Sequence, residues 1–207
     1  MDAKTIMEED AKTIMQENET YYSKVGFRPA DEYHKAQKLC WEYNQTDPSD
    51  YLMQNEILSE LFGTYSENIR IMPNFHCDFG FTIHLGKSVF INYNCVILDT
   101  SPVIIKDNVL IGPNVTLACA GHAIDAAQRA EGIQTSSPIC IEKDVWIGAG
   151  ATVCGGVKIG AGSVIGAGSV VTNDIPSGVI AVGNPCRVLR KITENDKIHE
   201  GLIEIGE

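Results

Sequence analysis

IEKDVW IGAGAT VCGGVK IGAGSV IGAGSV VTNDIP, from Ile141 to Pro176, is a run of six consecutive hexads. The first place of each hexad is apolar, in Ile141, Ile147, Val153, Ile159, Ile165 and Val171. The fifth place is apolar or small, in Val145, Ala151, Val157, Ser163 and Ser169. Helices repeat near every 3.6 residues and half-buried strands every second residue, so a period of six indicates a structural repeat. Gly148, Gly160 and Gly166 follow column residues and predict turns with positive φ.

A hexad is too short to bury its own apolar face, so successive hexads must stack into a solenoid with a continuous core. The stretch resembles the hexapeptide-repeat acyltransferases, in which three hexads form one triangular coil of a left-handed parallel β-helix. The resemblance alone implies the left hand, because parallel crossovers generally favour a right-handed turn. We therefore expect an all-β solenoid of this type, with an N-terminal helical segment and one long loop excursion.

Composition limits the possible partners and the compartment. The chain has 207 residues, 44% of them apolar, enough for a sizeable core in one domain with a smaller appendage. A net charge of −11 argues against nucleic-acid or anionic-membrane partners, which require basic fields. No apolar run reaches the roughly 18 residues of a membrane span, and the acidic N-terminus is unlike a signal peptide. Seven cysteines without a CxxC pair suggest buried thiols in a cytoplasmic protein, with a zinc site as the alternative.

Residues 1–68 are predicted to form a helical segment. Two faces of helical period carry apolar and aromatic side chains: Tyr33, Ala36, Cys40 and Tyr43 on the first, and Met53, Ile57, Leu58, Leu61 and Phe62 on the second. Asp47 and Pro48 predict the start of the second helix, and Gly63 predicts its end. Trp41–Asp50 and Ile57–Gly63 resemble the N-terminal segment of maltose and galactoside O-acetyltransferases. The near-duplicated DAKTIM at residues 2–7 and 10–15 predicts a surface helix or a frayed arm.

The solenoid is predicted over residues 69–192, followed by a tail at 193–207. Apolar residues stand six apart in two registers: Leu85, Ile91 and Ile97, and then Ile105, Ile111 and Leu117. The second register is shifted by two, which predicts an irregularity near Ser101 and Pro102. Residues 118–138 are polar and small and cannot continue the inner columns. A long excursion from a compact repeat is usually functional or disordered, so this segment is the first candidate for chemistry.

His122, in AGHAID, lies where the excursion leaves the solenoid. The matching stretch of the resembled acetyltransferases has a histidine after glycine, followed by an acid and an arginine, here Asp125 and Arg129. Ala123 stands where that family often has proline. The resemblance implies that His122 is the general base, because a sugar hydroxyl must lose its proton to attack a thioester at neutral pH. Cys119 is nearby, but nothing in the sequence lowers its pKa.

Three further polar residues match the resembled family. Asn92, in FINYNCVILD, matches an asparagine that helps to hold the reacting centre, where its amide can stabilise charge on the thioester oxygen. Asp99 matches a position that could bind an acceptor hydroxyl or orient His122. Asp78, in CDFGF, matches an acceptor contact of the maltose-type members. Asp99 followed by Thr100 is closer to the maltose type than to the galactoside type, which has two consecutive acids there.

The resemblance also implies an acetyl-CoA site along the later coils, with no metal. Its residues would be Asn92, Ala149, Ala167, Thr172, Asn173, Arg187 and Arg190. Small residues let a pantetheine arm approach the backbone, and arginines suit nucleotide phosphates. Residues 177–192 include GNPCRVLRKI, which resembles the terminal G-x-P-A-R element of the family with Cys186 in place of alanine.

The resemblance therefore implies an acetyl-CoA-dependent O-acetyltransferase that acts on a sugar as a homotrimer with sites between subunits. Three alternatives share the solenoid. The first is acetyl transfer to serine, an amino sugar or chloramphenicol; the second is a metalloenzyme such as carbonic anhydrase; the third is a non-catalytic trimeric scaffold. The metalloenzyme requires three histidines on zinc, and His76, His84 and His122 lack the close second histidine of that pattern. The scaffold alternative predicts that replacing His122 has no effect on the function of the protein.

Overall fold

A computed structural model describes residues 8–198, with side-chain environments from residue 11 onward. The hexads form a triangular solenoid whose strands stack in three sheets, parallel throughout except for the last strand of sheet 2. Sheet 1 contains β2 (Thr64–Tyr65), β5 (Ile83–Leu85), β8 (Val103–Ile105), β13 (Ile139–Ile141) and β16 (Lys158–Ile159). Sheet 2 contains β3 (Arg70–Ile71), β6 (Phe90–Ile91), β9 (Leu110–Ile111), β14 (Trp146–Ile147), β17 (Val164–Ile165), β19 (Val179–Val182) and β20 (Arg187–Lys191). Sheet 3 contains β4 (His76–Cys77), β7 (Val96–Leu98), β10 (Thr116–Ala118), β15 (Thr152–Cys154) and β18 (Val170–Val171).

The predicted hexad columns form the core. All six first-place residues from Ile141 to Val171 have no exposed surface, and the fifth-place residues are buried as well. The two buried serines of the fifth-place column are satisfied, since Ser163 donates to the carbonyl of Pro176 and Ser169 accepts from the amide of Gly183. Stacking of coils therefore buries every inward side chain of the repeat, as the period required.

The turns between sheets use two kinds of residue. At the corner between sheets 2 and 3 the left-handed position is filled by Asn74, Asn94 and Asn114, and then by Gly150 and Gly168. The asparagine amides bond to one another up the stack at 3.0 and 3.3 Å. The prediction of positive φ at Gly148, Gly160 and Gly166 was wrong. Those residues are glycine because the next coil is close: a Cβ on Gly148 would lie 2.6 Å from the Ala167 nitrogen.

The N-terminal segment contains α1 (Glu8–Gln16), α2 (Ala30–Gln45) and α3 (Tyr51–Leu61), as well as a strand, β1 (Tyr21–Lys24), that the periodicity did not predict. The predicted start of α3 was wrong. Asp50, rather than Asp47, caps the helix by accepting from the Met53 amide at 3.0 Å. Asp47 closes the preceding turn by accepting from the Ser49 amide.

The predicted faces of α2 and α3 are buried, apart from a partly buried Tyr33 and an exposed Met53. They cover the first coil, with the Tyr43 hydroxyl bonded to the Ile71 carbonyl. In α1, Ala11 and Met15 are buried, so the second DAKTIM copy is packed rather than frayed. The first copy, at residues 2–7, lies outside the described residues.

One corner of the triangle is enlarged in three successive coils. Between sheets 3 and 1 the inward residues are eight apart in the first two coils, from Cys77 to Leu85 and from Ile97 to Ile105, in place of six. The predicted irregularity near Ser101 and Pro102 is the second of these. In the third coil the same corner carries the whole excursion, from Leu117 to Ile141, which stands in register with Ile105. The three enlargements stack on one another and create space outside the prism.

Candidate functional site

A cavity of about 340 Å³ lies outside this enlarged corner. Its wall is built from all three enlarged turns and from the segment that precedes α2. The lining side chains with polar groups are Arg28, Tyr33, Asp78, Thr100, His122 and Gln134. The cavity therefore brings together two predicted residues, Asp78 and His122, with four that sequence reasoning missed.

The excursion is an ordered hairpin rather than an open loop. β11 (Ala120–His122) pairs antiparallel with β12 (Ile133–Ser136), which pairs on its other edge with β1. His122 lies opposite Gln134, and both side chains face the cavity region. The Tyr21 hydroxyl donates to the Thr100 carbonyl at 2.6 Å and fixes β1 to the corner below. The base of the excursion is thus held by a three-stranded sheet.

A short helix, α4 (Ala126–Ala130), holds the turn that follows His122. Asp125 caps α4 by accepting from the Gln128 amide at 2.9 Å. Arg129, in the last turn, donates to the carbonyls of Ala123 and Ile124, both at 2.9 Å. The backbone immediately after the exposed His122 is therefore held by the charged Arg129 guanidinium.

Asp99 is fully buried, and this corrects its predicted contact with an acceptor. One carboxylate oxygen accepts from the amides of Asp78 and Phe79, both at 2.9 Å. The other accepts from the Gly80 amide at 2.7 Å and the Thr82 hydroxyl at 2.6 Å. With no exposed surface and both oxygens occupied, Asp99 shapes the turn that carries Asp78 and does not reach the cavity.

Asp78 is the acidic group that lines the cavity. Burial raises its pKa to about 6, and the nearby Asp99 carboxylate adds to the effect, whereas Arg28 opposes it. The Arg28 guanidinium lies over the Tyr33 ring at 4.3 Å from its centroid, a cation–π contact that directs it to the mouth of the cavity. Arg28 and Tyr33 were missed because they lie just before and just after the start of α2, where the pattern indicates only helix packing.

The remaining predicted residues lie at two different corners. Asn92, Ala149 and Ala167 follow strands of sheet 2 and stack at the corner between sheets 2 and 3. Thr172 and Asn173 follow β18 and lie at the enlarged corner, above the excursion. Sheet 3 separates the two groups, so a single chain does not bring Asn92 to His122. The four small or polar residues of the later coils are exposed, as a surface ligand site requires.

The predicted arginines lie on β20, an antiparallel hairpin strand after β19 that is exposed along its length. The Arg190 guanidinium forms a two-pronged pair with Asp196, at 2.8 and 2.6 Å, and this pair lowers the pKa of that carboxyl. The Arg187 side chain bonds only to the neighbouring Cys186 carbonyl among the described residues. Arg187 is therefore the more available of the two for a phosphate.

The cysteines are free thiols, five of them buried. Burial raises the pKa of Cys119 well above its ordinary value, so this thiol beside the excursion is protonated and packs as an apolar group. Within residues 8–198 no cluster of three or more His, Cys, Asp or Glu side chains is arranged to hold a metal ion. None of the helices in that range is long and apolar enough to cross a membrane.

Two family models match the chain. Residues 141–173 match the bacterial transferase hexapeptide model of six repeats, and residues 19–66 match the maltose acetyltransferase hexapeptide capping motif. The chain is also 43% identical over 163 residues to galactoside O-acetyltransferase of Escherichia coli, covering 79% of this chain and 80% of that one.

Solved structures give the same picture. A hexapeptide-repeat acetyltransferase from Vibrio cholerae, solved with acetyl coenzyme A, superposes with a TM-score of 0.83 at 36% identity, covering 89% of this chain and 99% of that one. A maltose O-acetyltransferase from Clostridium difficile superposes with a TM-score of 0.75 at 44% identity, covering 80% and 88%. The helical segment, the repeat and their connection are therefore all shared with acetyltransferases, and the solenoid is their left-handed parallel β-helix.

Proposed function

The chain belongs to the hexapeptide-repeat acetyltransferases of the maltose and galactoside O-acetyltransferase type, and on that premise we propose that it acetylates a sugar hydroxyl from acetyl-CoA. The observation that carries the proposal is the cavity at the enlarged corner, where His122 lies with Asp78 and Arg28. A base, a hydrogen-bond acceptor and a donor around one cavity are the groups that recognition and activation of a polyol require.

In this proposal the neutral His122 imidazole removes the proton of the acceptor hydroxyl as its oxygen attacks the thioester carbonyl carbon. The carbon–sulfur bond then breaks, and the imidazolium returns the proton to the departing thiolate. The products are the acetylated sugar and free coenzyme A, with no acetyl-enzyme intermediate. Arg129 supports the step by holding in place the backbone that follows His122.

Asp78 and Arg28 are the proposed acceptor contacts. An ionised Asp78 accepts hydrogen bonds from sugar hydroxyls, and Arg28 donates to sugar oxygens. Asp99 acts through Asp78, because it holds the amides of the turn and has no surface of its own. Thr100 and Gln134 complete the polar wall.

We propose a homotrimer with shared sites because the candidate residues lie at two corners of the prism. The outer face of sheet 2 is apolar: Phe90, Leu110, Trp146 and Val164 stand in register, with Leu110 48% and Trp146 53% exposed. At the tip of the excursion Ile124 is 97% exposed, on a turn that Arg129 holds rigid. Docking this tip on the sheet 2 face of a neighbour would bury both surfaces and bring the neighbour's Asn92 towards His122.

The coenzyme would follow the later coils of that neighbour. Ala149 and Ala167 of the neighbour are exposed and small, which allows the pantetheine arm close to the backbone. Thr172 and Asn173 lie at the enlarged corner above the excursion, so the subunit that supplies His122 would offer these polar contacts. Arg187 would bind a nucleotide phosphate, and Arg190 would do so after releasing Asp196. Seven free thiols fit a cytoplasmic location, which is part of the proposal.

The test is release of free thiol from acetyl-CoA in the presence of sugars, amino sugars, serine or chloramphenicol. We expect a sugar to be the best acceptor and His122→Ala to lower turnover by roughly 10²- to 10⁴-fold with coenzyme binding intact. His84→Gln is the matched control, because His84 lies on sheet 1 outside the cavity and bonds to Thr64. Near-normal turnover of His122→Ala would exclude it as the base.

Light scattering tests the shared site. A homotrimer should be the active species, and an active, stable monomer near 22.6 kDa would refute the arrangement. Replacing Ile124 by Asp should weaken assembly and activity together, because it places a charge against the proposed apolar face.

A further inference from the structure

A second cavity, of about 430 Å³, lies between α3 and the first strand of sheet 2. Its floor is the edge of the first coil, and its rim carries Tyr51 and Asn55 from α3, Arg70 from β3 and Tyr93 from the corner between sheets 2 and 3. It shares no lining residue with the His122 cavity. Nothing in the proposed reaction uses it.

The chemistry of this rim suits a sugar ring. Tyr51 is 61% and Tyr93 47% exposed, so two aromatic rings are available for stacking on the apolar face of a pyranose. No carboxylate of residues 11–198 lies within ion-pair distance of Arg70, whose guanidinium can therefore donate to hydroxyls. The Asn55 oxygen accepts from the Tyr65 hydroxyl at 2.7 Å, which leaves the amide hydrogens for a ligand.

The position of the cavity links it to the proposed transfer site. Arg70 pairs in register with Phe90, so the cavity begins one strand, about 4.8 Å, below the sheet 2 face on which the neighbour's excursion would dock. Tyr93 directly follows Asn92 at the same corner. The coenzyme residues lie in the opposite direction, in the later coils. From an acceptor held at His122, this cavity and the coenzyme therefore lie in opposite directions along the solenoid.

We propose that this cavity is a second acceptor subsite, which binds the neighbouring sugar unit of an oligosaccharide or glycoside. The inference rests on the proposed function, since it requires a sugar acceptor at His122. One strand spacing separates the cavity from the proposed docking face, so a chain of linked sugar rings that begins at His122 can extend into it. The subsite makes the enzyme selective for extended acceptors over free monosaccharides.

The experiment compares kcat/KM for glucose and galactose with those of their linked di-, tri- and tetrasaccharides, using purified enzyme. We expect about tenfold higher kcat/KM for the best oligosaccharide than for its monosaccharide. Tyr51→Ala and Arg70→Ala should each reduce the ratio of oligosaccharide to monosaccharide kcat/KM to about threefold or less. Neither variant should change kcat/KM for the monosaccharide. Trp41→Ala is the matched control, because Trp41 is an exposed aromatic residue on α2 outside this cavity.

The outcomes separate the two proposals. If monosaccharide transfer depends on His122 but length brings no advantage, or if both variants keep the advantage, the subsite is overturned and the proposed function stands. If no sugar of any length is acetylated in a His122-dependent way, both are overturned. Circular dichroism of each variant verifies that a lost ratio does not reflect unfolding, and Tyr93→Ala provides a third variant if one of the first two does not fold.

Discussion

Replacing Asp99 by Asn should destabilise the protein and disable the acceptor side of the site, although Asp99 touches no ligand. Its two oxygens accept four hydrogen bonds, three of them from consecutive amides. An asparagine can keep the two bonds to one oxygen, but its NH₂ group then faces the Gly80 amide, donor against donor. Leaving that buried N–H unpaired costs about 1 to 3 kcal/mol.

The two retained bonds also weaken, because a neutral amide oxygen is a poorer acceptor than a carboxylate, at roughly 0.5 to 1 kcal/mol each. An opposing effect is that burial raises the pKa of Asp99, so the ionised carboxylate already carries a desolvation cost that the amide avoids. The net expectation is about 2 to 4 kcal/mol of lost stability. For a chain of this length that corresponds to a fall in Tm of about 4 to 16 °C.

Thermal and urea unfolding followed by circular dichroism measures this loss, with both proteins at the same concentration because assembly would shift the apparent stability. The control is Asp107→Asn, an exposed carboxylate that accepts one amide bond, from Lys87 at 2.8 Å, and should change stability by less than about 1 kcal/mol. The acceptor kcat/KM of Asp99→Asn should fall at least about tenfold while the KM for acetyl-CoA is kept. A variant as stable and active as the native protein would refute the assigned role.

Three further predictions test other parts of the structure. Because the pKa of Asp78 is raised to about 6, its contribution to folding stability is greatest below pH 4 and is lost as the pH rises through 6. Asp78→Asn should remove this trend in urea unfolding and flatten the pH profile of the acceptor kcat/KM near pH 6. Gly148→Ala should lower stability by about 2 to 4 kcal/mol because the new Cβ meets the next coil. Gly150→Asn should change stability by less than about 1 kcal/mol, because Gly150 has open space around it and the φ that asparagines adopt elsewhere at this corner. Equal losses in the two variants would contradict the assignment. Arg187→Ala should raise the KM for acetyl-CoA about 5- to 100-fold, and Arg190→Ala should raise it less because Asp196 competes for that guanidinium; calorimetry that shows unchanged coenzyme affinity in both would exclude these residues from the site.

The sequence by itself determined the solenoid. Each inward side chain from Ile141 to Val171 recurs at the sixth position, and a local repeat that cannot bury itself has stacking as its stable arrangement. The two-residue shift near Ser101 was readable for the same reason, because a break in a strict period is itself a local signal. His122 became the candidate base from its place where the excursion leaves the solenoid and from a family resemblance.

The tertiary structure decided how these residues act, because their partners are distant in sequence and have no common period. β1 stabilises β12 although more than a hundred residues separate them, and no pattern in either strand predicts that pairing. The family motif predicts that Asp99 binds an acceptor hydroxyl or orients His122, but in the fold Asp99 is buried and accepts from three amides of the previous coil, in the turn that carries Asp78. The separation of Asn92 from His122 at two corners depends on how strands stack into a triangle. Which distant side chains come into contact is therefore decided only when the coils close and stack.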